Sequence, residues 1–191
     1  MAFPLSAPPS LVIFDCDGVL VDTETIANRL LVKLLAEDGL TISYEESRSL
    51  FLGKTLEAVM AHAEGALGRP LRADWVDYVR DETLKAFAQG VEAIPHVRDV
   101  LLALKARKIP YCVASSGKFE KMRFAAKSMG FAPASCVVIE DSLPGVQAAV
   151  TAGMPVLGYA GDPHTDAEGL KAEGAQVFSD MRKLLGLLGF N

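Results

Sequence analysis

Little in this chain speaks for a membrane, for nucleic acid or for an oxidising compartment. It has three cysteines in 191 residues, Cys16, Cys112 and Cys136. Each falls in or beside an apolar, strand-like run and none forms a CxxC pair, so reduced, mostly buried thiols in the cytoplasm are expected rather than a disulfide framework. No apolar run reaches the length needed to span a bilayer. The opening stretch MAFPLSAPPS lacks a basic n-region and a long apolar segment, and its prolines would interrupt a helix; neither a signal peptide nor an anchor is expected. Basic charge is also short. With 19 Lys and Arg against 24 Asp and Glu the formal charge is -5, and no basic stripe offers a grip on a phosphate backbone, so a nucleic-acid partner is not expected. A small anionic substrate remains compatible with this charge if a metal, a lysine or backbone amides supply local positive potential. What is present in quantity is apolar side chain, 50% of the residues, enough at this length for one substantial core.

Short apolar runs alternate with longer helical patterns, the mark of βα units around a mainly parallel sheet. Strands are expected at Leu11–Phe14, Tyr111–Ala114, Val137–Ile139, Val156–Gly158 and, more weakly, Gln176–Phe178. Between the first two lies a different region, with apolar residues at helical spacing in TIANRLLVKLLAEDG, GKTLEAVMAHAEGALG and ADWVDYVRDETLKAFAQG, each ending at or near a glycine. Three helices exceed what a plain crossover between neighbouring strands requires. The expected architecture is therefore an α/β, Rossmann-like three-layer α/β/α core, residues 1–22 and 91–191, with an all-helical cap, residues 23–90, inserted after the first strand. Ligands of open parallel sheets bind at the carboxyl ends of the strands, where such an insertion must leave and rejoin.

Those strand ends carry the chemistry. LVIFDCDGVLVDTE ends an apolar strand in Asp15 and Asp17, followed at once by Gly18; CVVIEDS ends another in Glu140 and Asp141. Carboxylates this close repel one another unless a cation lies between them, and oxygen ligands suit a hard divalent ion, most often Mg2+ at a phosphate site. The third tip, YCVASSG, offers the hydroxyls of Ser115 and Ser116 and a glycine, groups suited to phosphate oxygens. DxDG also opens EF-hand loops, but there a helix precedes and the glycine stands sixth, whereas here a strand precedes and Gly18 is fourth. The plainer reading of Asp141-Ser142 before LPGVQAAVTAG is a helix N-cap.

In this order DCDGVLVDTE, VASSG and VVIEDSLPGVQAAVTAGM resemble motifs one, two and four of the haloacid dehalogenase superfamily, in the branch holding β-phosphoglucomutase and sugar-phosphate phosphatases. The resemblance runs from about Leu11 to Leu188. It implies a phosphoric monoester hydrolase that uses Asp15 as nucleophile, to give an aspartyl-phosphate, and Asp17 as general acid and base. It implies Mg2+ held by Asp15, the Asp17 carbonyl and Asp141, with Glu140 acting directly or through water, and a phosphoryl group bound by Ser115, Ser116 and the Gly18 amide. The implied substrate is a small phosphate ester, a sugar or sugar-acid phosphate; a monomer is the default expectation. Mutases of this branch carry a histidine and an arginine in the cap where this chain has Ala27 and Leu56, which favours a phosphatase over a β-phosphoglucomutase-type mutase. Lys54, in the turn Gly53-Lys54-Thr55, is the candidate for substrate specificity. His62, His96 and His164 lack metal-ligand spacing, and Trp75, Tyr78 and Phe87 fit the helical pattern of the cap.

One motif is missing. The resemblance implies a third, lysine-bearing loop, yet between Ser116 and Glu140 there is text for one helix and a return strand only. Roughly 30 or more residues, about one strand-loop-helix unit, are lacking, with the join near Phe124–Ala125. A fold shortened by an edge strand and a sequence that omits a segment both account for this. A protein without that lysine would be impaired in turnover while still binding Mg2+ and phosphate.

Overall fold

Leu11–Phe14 (β1) is four apolar residues with no polar alternation, and all four are completely buried, as befits a strand covered on both faces. The computed structural model describes residues 7–114 and 119–190, the side chains of residues 119–121 excepted. Four further strands join β1: Tyr111–Val113 (β2), Cys136–Glu140 (β3), Val156–Tyr159 (β4) and Gln176–Phe178 (β5). They form one sheet in the order β2-β1-β3-β4-β5 with every neighbouring pair parallel. This bears out the α/β, Rossmann-like fold, with strand ends within one residue of expectation.

Alternate strand residues feed two separate cores, the period-two pattern of a sheet sandwiched between helices. Leu11, Ile13 and Val138 pack with Met122 and Ala126 of α6 (Phe119–Ser128), Val146 and Ala149 of α7 (Leu143–Thr151) and Leu170 of α8 (Ala167–Ala172). On the other face Val12, Phe14, Val137 and Ile139 pack with Val97, Val100 and Leu104 of α5 (Val97–Ala106) and Leu184 of α9 (Leu184–Leu187). The helix α6 runs unbroken through Phe124 and Ala125.

The chain divides into two compact units, Met1–Val21 with Ala93–Asn191, and Asp22–Glu92. Within the first, Val21 and Ala93 form an antiparallel bridge, so the chain leaves and re-enters this unit at one point. The second unit is helical: α1 (Thr23–Glu37), α2 (Tyr44–Phe51), α3 (Leu56–Leu67) and α4 (Trp75–Ala88). Its core gathers Leu31, Leu34 and Leu35 of α1 with Phe51, Val59, Ala63, Trp75 and Val79. Trp75 is completely buried, and its indole Nε1 donates to Asp38 Oδ2 at 2.8 Å.

Helix α2 is an addition to the three helical segments read from the sequence. Its eight residues, YEESRSLF, hold few apolar side chains, so periodicity is faint. It is held instead by a capping box, in which Glu46 N donates to Ser43 Oγ at 3.1 Å and Ser43 N donates to Glu46 Oε2 at 2.8 Å. Among the described residues no helix is long and apolar enough to cross a membrane.

Candidate active site

Register brings the acids together. Phe14 of β1 pairs with Ile139 of β3, so the residues that follow them, Asp15 and Glu140, emerge side by side at the carboxyl edge of the sheet. The Asp15 N–H donates to the Ile139 carbonyl at 2.9 Å and closes the ladder there. One carboxylate oxygen from each of Asp15, Glu140 and Asp141 lies within 4.8 Å of the others. The tip of β2 stands alongside, because Ala114 N donates to the Phe14 carbonyl at 2.9 Å. Ser115 and Ser116, the expected phosphate ligands that follow Ala114, lie outside the described residues.

Two glycines make this crowding possible. Gly18 has φ +72°, and a Cβ placed on it would come 1.9 Å from Asp141 Oδ2, so both its backbone and the carboxylate beside it exclude a side chain. Gly145 lies inside α7, where glycine is ordinarily unfavourable; a Cβ there would fall 1.5 Å from Glu140 Oε1. The Gly18 turn is fastened by its own amide, which donates to the Val21 carbonyl at 2.9 Å, while Leu20 and Val21 N–H groups both donate to the Cys16 carbonyl. Asp17 sits on this turn with its side chain exposed, whereas Asp15 is buried.

Burial and mutual repulsion govern the charge of the cluster. The Asp15 carboxyl is pushed up to about 7, first by burial and then by Glu140 and Asp17, against the pull of the Cys16 and Asp17 amides. Asp141 is pushed up to about 8, by burial, then by Glu140 and Asp15. Among the described residues no lysine or arginine pairs with either. Three carboxylates, each with an oxygen within 4.8 Å of the others, are a donor set suited to a hard divalent ion, and these residues fit Mg2+.

The acids are not equivalent. Glu140 is buried, and its Oε2 accepts from Asp141 N at 2.5 Å and Ser142 N at 2.9 Å, while Oε1 accepts from Ser142 Oγ at 3.1 Å. It is thus tied to the start of α7 and can offer the cluster only its remaining lone pairs. The cap of α7 is Ser142, whose Oγ accepts from Gly145 N at 3.2 Å. The N-cap reading of this stretch therefore holds for Ser142 and leaves Asp141 to the cluster. Gly145 escaped notice in the sequence; its position five residues after a strand-terminal glutamate, in the first turn of the helix that follows, was the available sign.

Lys54 belongs to the helical unit. It follows Gly53, φ +72°, in the turn between α2 and α3, is exposed, and forms no ion pair among the described residues. It lines a cavity of about 410 Å³ within that unit, together with Ala27, Asn28, Phe51, Leu56 and Phe87. Asn28 is buried, and its Oδ1 has no hydrogen-bond partner among the described residues. His62 packs edge-on against Phe51 with ring centroids 5.2 Å apart.

Residues 12–128 match the family model described as haloacid dehalogenase-like hydrolase. The 6-phosphogluconate phosphatase of Escherichia coli (strain K12) is 30% identical over 187 positions, covering 80% of this chain and 83% of that protein. Because 80% of 191 residues is about 153, about 34 of those 187 positions have no residue opposite them in this chain. Among solved structures, a haloacid dehalogenase-like protein from Agrobacterium tumefaciens is 30% identical, with a TM-score of 0.82 over 94% of this chain and 97% of that one. A HAD family hydrolase from Deinococcus radiodurans, solved with bound phosphate and sodium, is 28% identical, with a TM-score of 0.81 over 96% and 98%.

Proposed function

The chain belongs to the haloacid dehalogenase-like hydrolase family, and from that premise we propose that it is a magnesium-dependent phosphatase acting on a small phosphorylated metabolite. The observation that carries this reading is the convergence of Asp15, Glu140 and Asp141 at the carboxyl edge of the sheet, with Gly18 and Gly145 clearing the space they occupy. Asp15 attacks phosphorus, forming an aspartyl-phosphate as the bond to the leaving alcohol breaks. Water then attacks the phosphoryl group and returns Asp15 to its carboxylate. Asp17, on the exposed side of the same turn, protonates the leaving oxygen in the first step and takes a proton from the water in the second. Asp15, Asp141 and the Asp17 carbonyl hold Mg2+, with Glu140 as an anchored neighbour. When bound, the ion neutralises the crowded carboxylates and the phosphoryl charge together. Ser115 and Ser116 bind phosphoryl oxygens; the Gly18 amide, expected beside them, is instead spent on the Val21 carbonyl. Residues 22–92 serve as the cap, and Lys54 is its specificity residue, suited to an acidic or hydroxylated leaving group such as a sugar acid. The E. coli relative's phosphogluconate chemistry supports that choice. The three free cysteines suit a reducing compartment, and we assign the enzyme to the cytoplasm.

The test is phosphate release from a panel of sugar phosphates, sugar-acid phosphates and an aryl phosphate, with and without Mg2+. Release that requires Mg2+ and falls about a thousandfold or more in Asp15→Asn supports the assignment; release indifferent to both overturns it. One observation favours a second reading. The positions lacking opposite the E. coli relative match the absent lysine loop in length, and no described cation faces Asp15. Mg2+ binding without phosphate release from any member of the panel would establish a phosphate- and metal-binding protein impaired in turnover.

A further inference from the structure

The cavity of the helical unit is lined by a polar group with nothing to bond. The buried residues of α1 are Asn28, Leu31, Leu34 and Leu35. Asn28 stands three and seven residues before Leu31 and Leu35, in the stripe that faces the core, where an apolar residue is expected. Asparagine is also a poorer helix former than leucine, so neither burial nor local propensity accounts for it. It is only 8% exposed, its Oδ1 is buried without a hydrogen-bond partner, and its Nδ2 makes no hydrogen bond among the described residues. A buried amide left unpaired at both ends opposes folding. This one lines a cavity of about 410 Å³, within the range of small-molecule sites. A turn about χ2 exchanges the ends of the amide, so it can meet a ligand as donor or as acceptor.

The rest of the lining indicates what would bind. Leu31, Phe51, Val59, Val79 and Phe87 give the cavity apolar walls, and Leu84, also in the lining, is 60% exposed. The Thr83 hydroxyl is already spent on the Val79 carbonyl, to which it donates at 2.8 Å. Of the charged residues lining the cavity, Arg80 pairs with Asp77 at 2.8 Å and Glu24 is likewise engaged, whereas Lys54 forms no ion pair among the described residues. Lys54 therefore favours an anion. Sugar hydroxyls set against such walls would give up their bonds to water without replacement, so the anion should carry an apolar body instead. We propose that the helical unit holds a binding site for a small carboxylate with an apolar, ring-sized body. The body fills the cavity, an N–H, O–H or C=O group of the ligand pairs with the Asn28 amide, and the carboxylate faces Lys54. Apolar walls supply the affinity, and the few polar groups among them fix orientation and choice of ligand. The proposal rests on residues of the helical unit alone and is independent of the phosphatase assignment.

The probe is indole-3-propionate, which has a ring, an N–H and a carboxylate, titrated calorimetrically into the full chain in EDTA, beside its uncharged amide and beside gluconate, a carboxylate without an apolar body. Saturable binding of indole-3-propionate is expected, about tenfold or more tighter than that of gluconate. Asn28→Leu continues the apolar stripe, so it should fold with an unchanged or raised melting temperature while weakening indole-3-propionate about tenfold. Lys54→Ala, at an exposed turn, should weaken indole-3-propionate about threefold and leave the amide's affinity unchanged; it decides the matter if the Asn28 variant unfolds. No binding of indole-3-propionate, gluconate bound as tightly, or unchanged affinity in the folded variants overturns the proposal. In the phosphate-release assay the same carboxylate identifies the natural occupant. A raised KM at unchanged kcat supports the site as one for the acid half of a phosphate ester, and an unmoved KM supports it as one for a free carboxylate.

Discussion

Gly145 shows how a single missing carbon can shape a site. In an exposed helix interior Gly→Ala stabilises by about 1 kcal/mol. Here the new methyl would collide with the Glu140 carboxylate, which is held by two amides and a hydroxyl and has little room to retreat. Gly145→Ala should therefore destabilise the protein, by about 1–3 kcal/mol as for other overpacked sites, in urea unfolding. A gain in stability would mean that Glu140 moves freely. The raised carboxyls yield a second expectation. Asp15 and Asp141 titrate near 7 and 8 in the folded chain but near 4 when unfolded. Between those values the folded state binds more protons, so their contribution to stability is fully present below about pH 4 and is lost as pH rises through about 8. In EDTA the melting temperature should fall from pH 5 to pH 8 relative to a variant carrying Asp15→Asn and Asp141→Asn. Mg2+, competing with those protons, should raise it more at pH 8 than at pH 5. An equal Mg2+ effect at both values would place the ion away from these two acids.

Elements were legible in the sequence where burial decides them and illegible where local hydrogen bonds do. The strands are apolar runs bounded by turn residues, and both acid tips follow from where those runs stop. The helix α2 has no such stripe; its signal was the Ser43-x-x-Glu46 box, four residues that periodicity averages away. Likewise the Ser142 cap could not be separated from an Asp141 cap until the Oγ contact with Gly145 N was seen. The exposure of β2 was hidden for a different reason: Tyr-Cys-Val reads as a buried strand, and only the sheet order places it at an edge among the described strands. If α2 does rest on its box, Ser43→Ala should cost about 1 kcal/mol and Ser43→Asp much less, because aspartate keeps an acceptor for Glu46 N. Equal losses in the two variants, measured by thermal unfolding, would show that packing of Phe51 and not the cap holds this helix.

At the scale of the whole molecule, the candidate site and the single tryptophan lie in different units. Asp15, Glu140 and Asp141 belong to the α/β unit, whereas Trp75 is buried in the helical one. Each unit has its own apolar core, and the chain crosses from one to the other only between Val21 and Asp22 and between Glu92 and Ala93. Tryptophan fluorescence therefore reports the helical unit alone, while far-ultraviolet circular dichroism reports both. Mg2+ bound by the three acids stabilises only the state in which they are assembled. Two units with independent cores should then unfold in urea with separable midpoints, and Mg2+ should move the dichroism transition while leaving the fluorescence midpoint nearly in place. Coincident transitions that Mg2+ shifts together would instead show one cooperative fold, in which loss of the site is felt throughout residues 22–92.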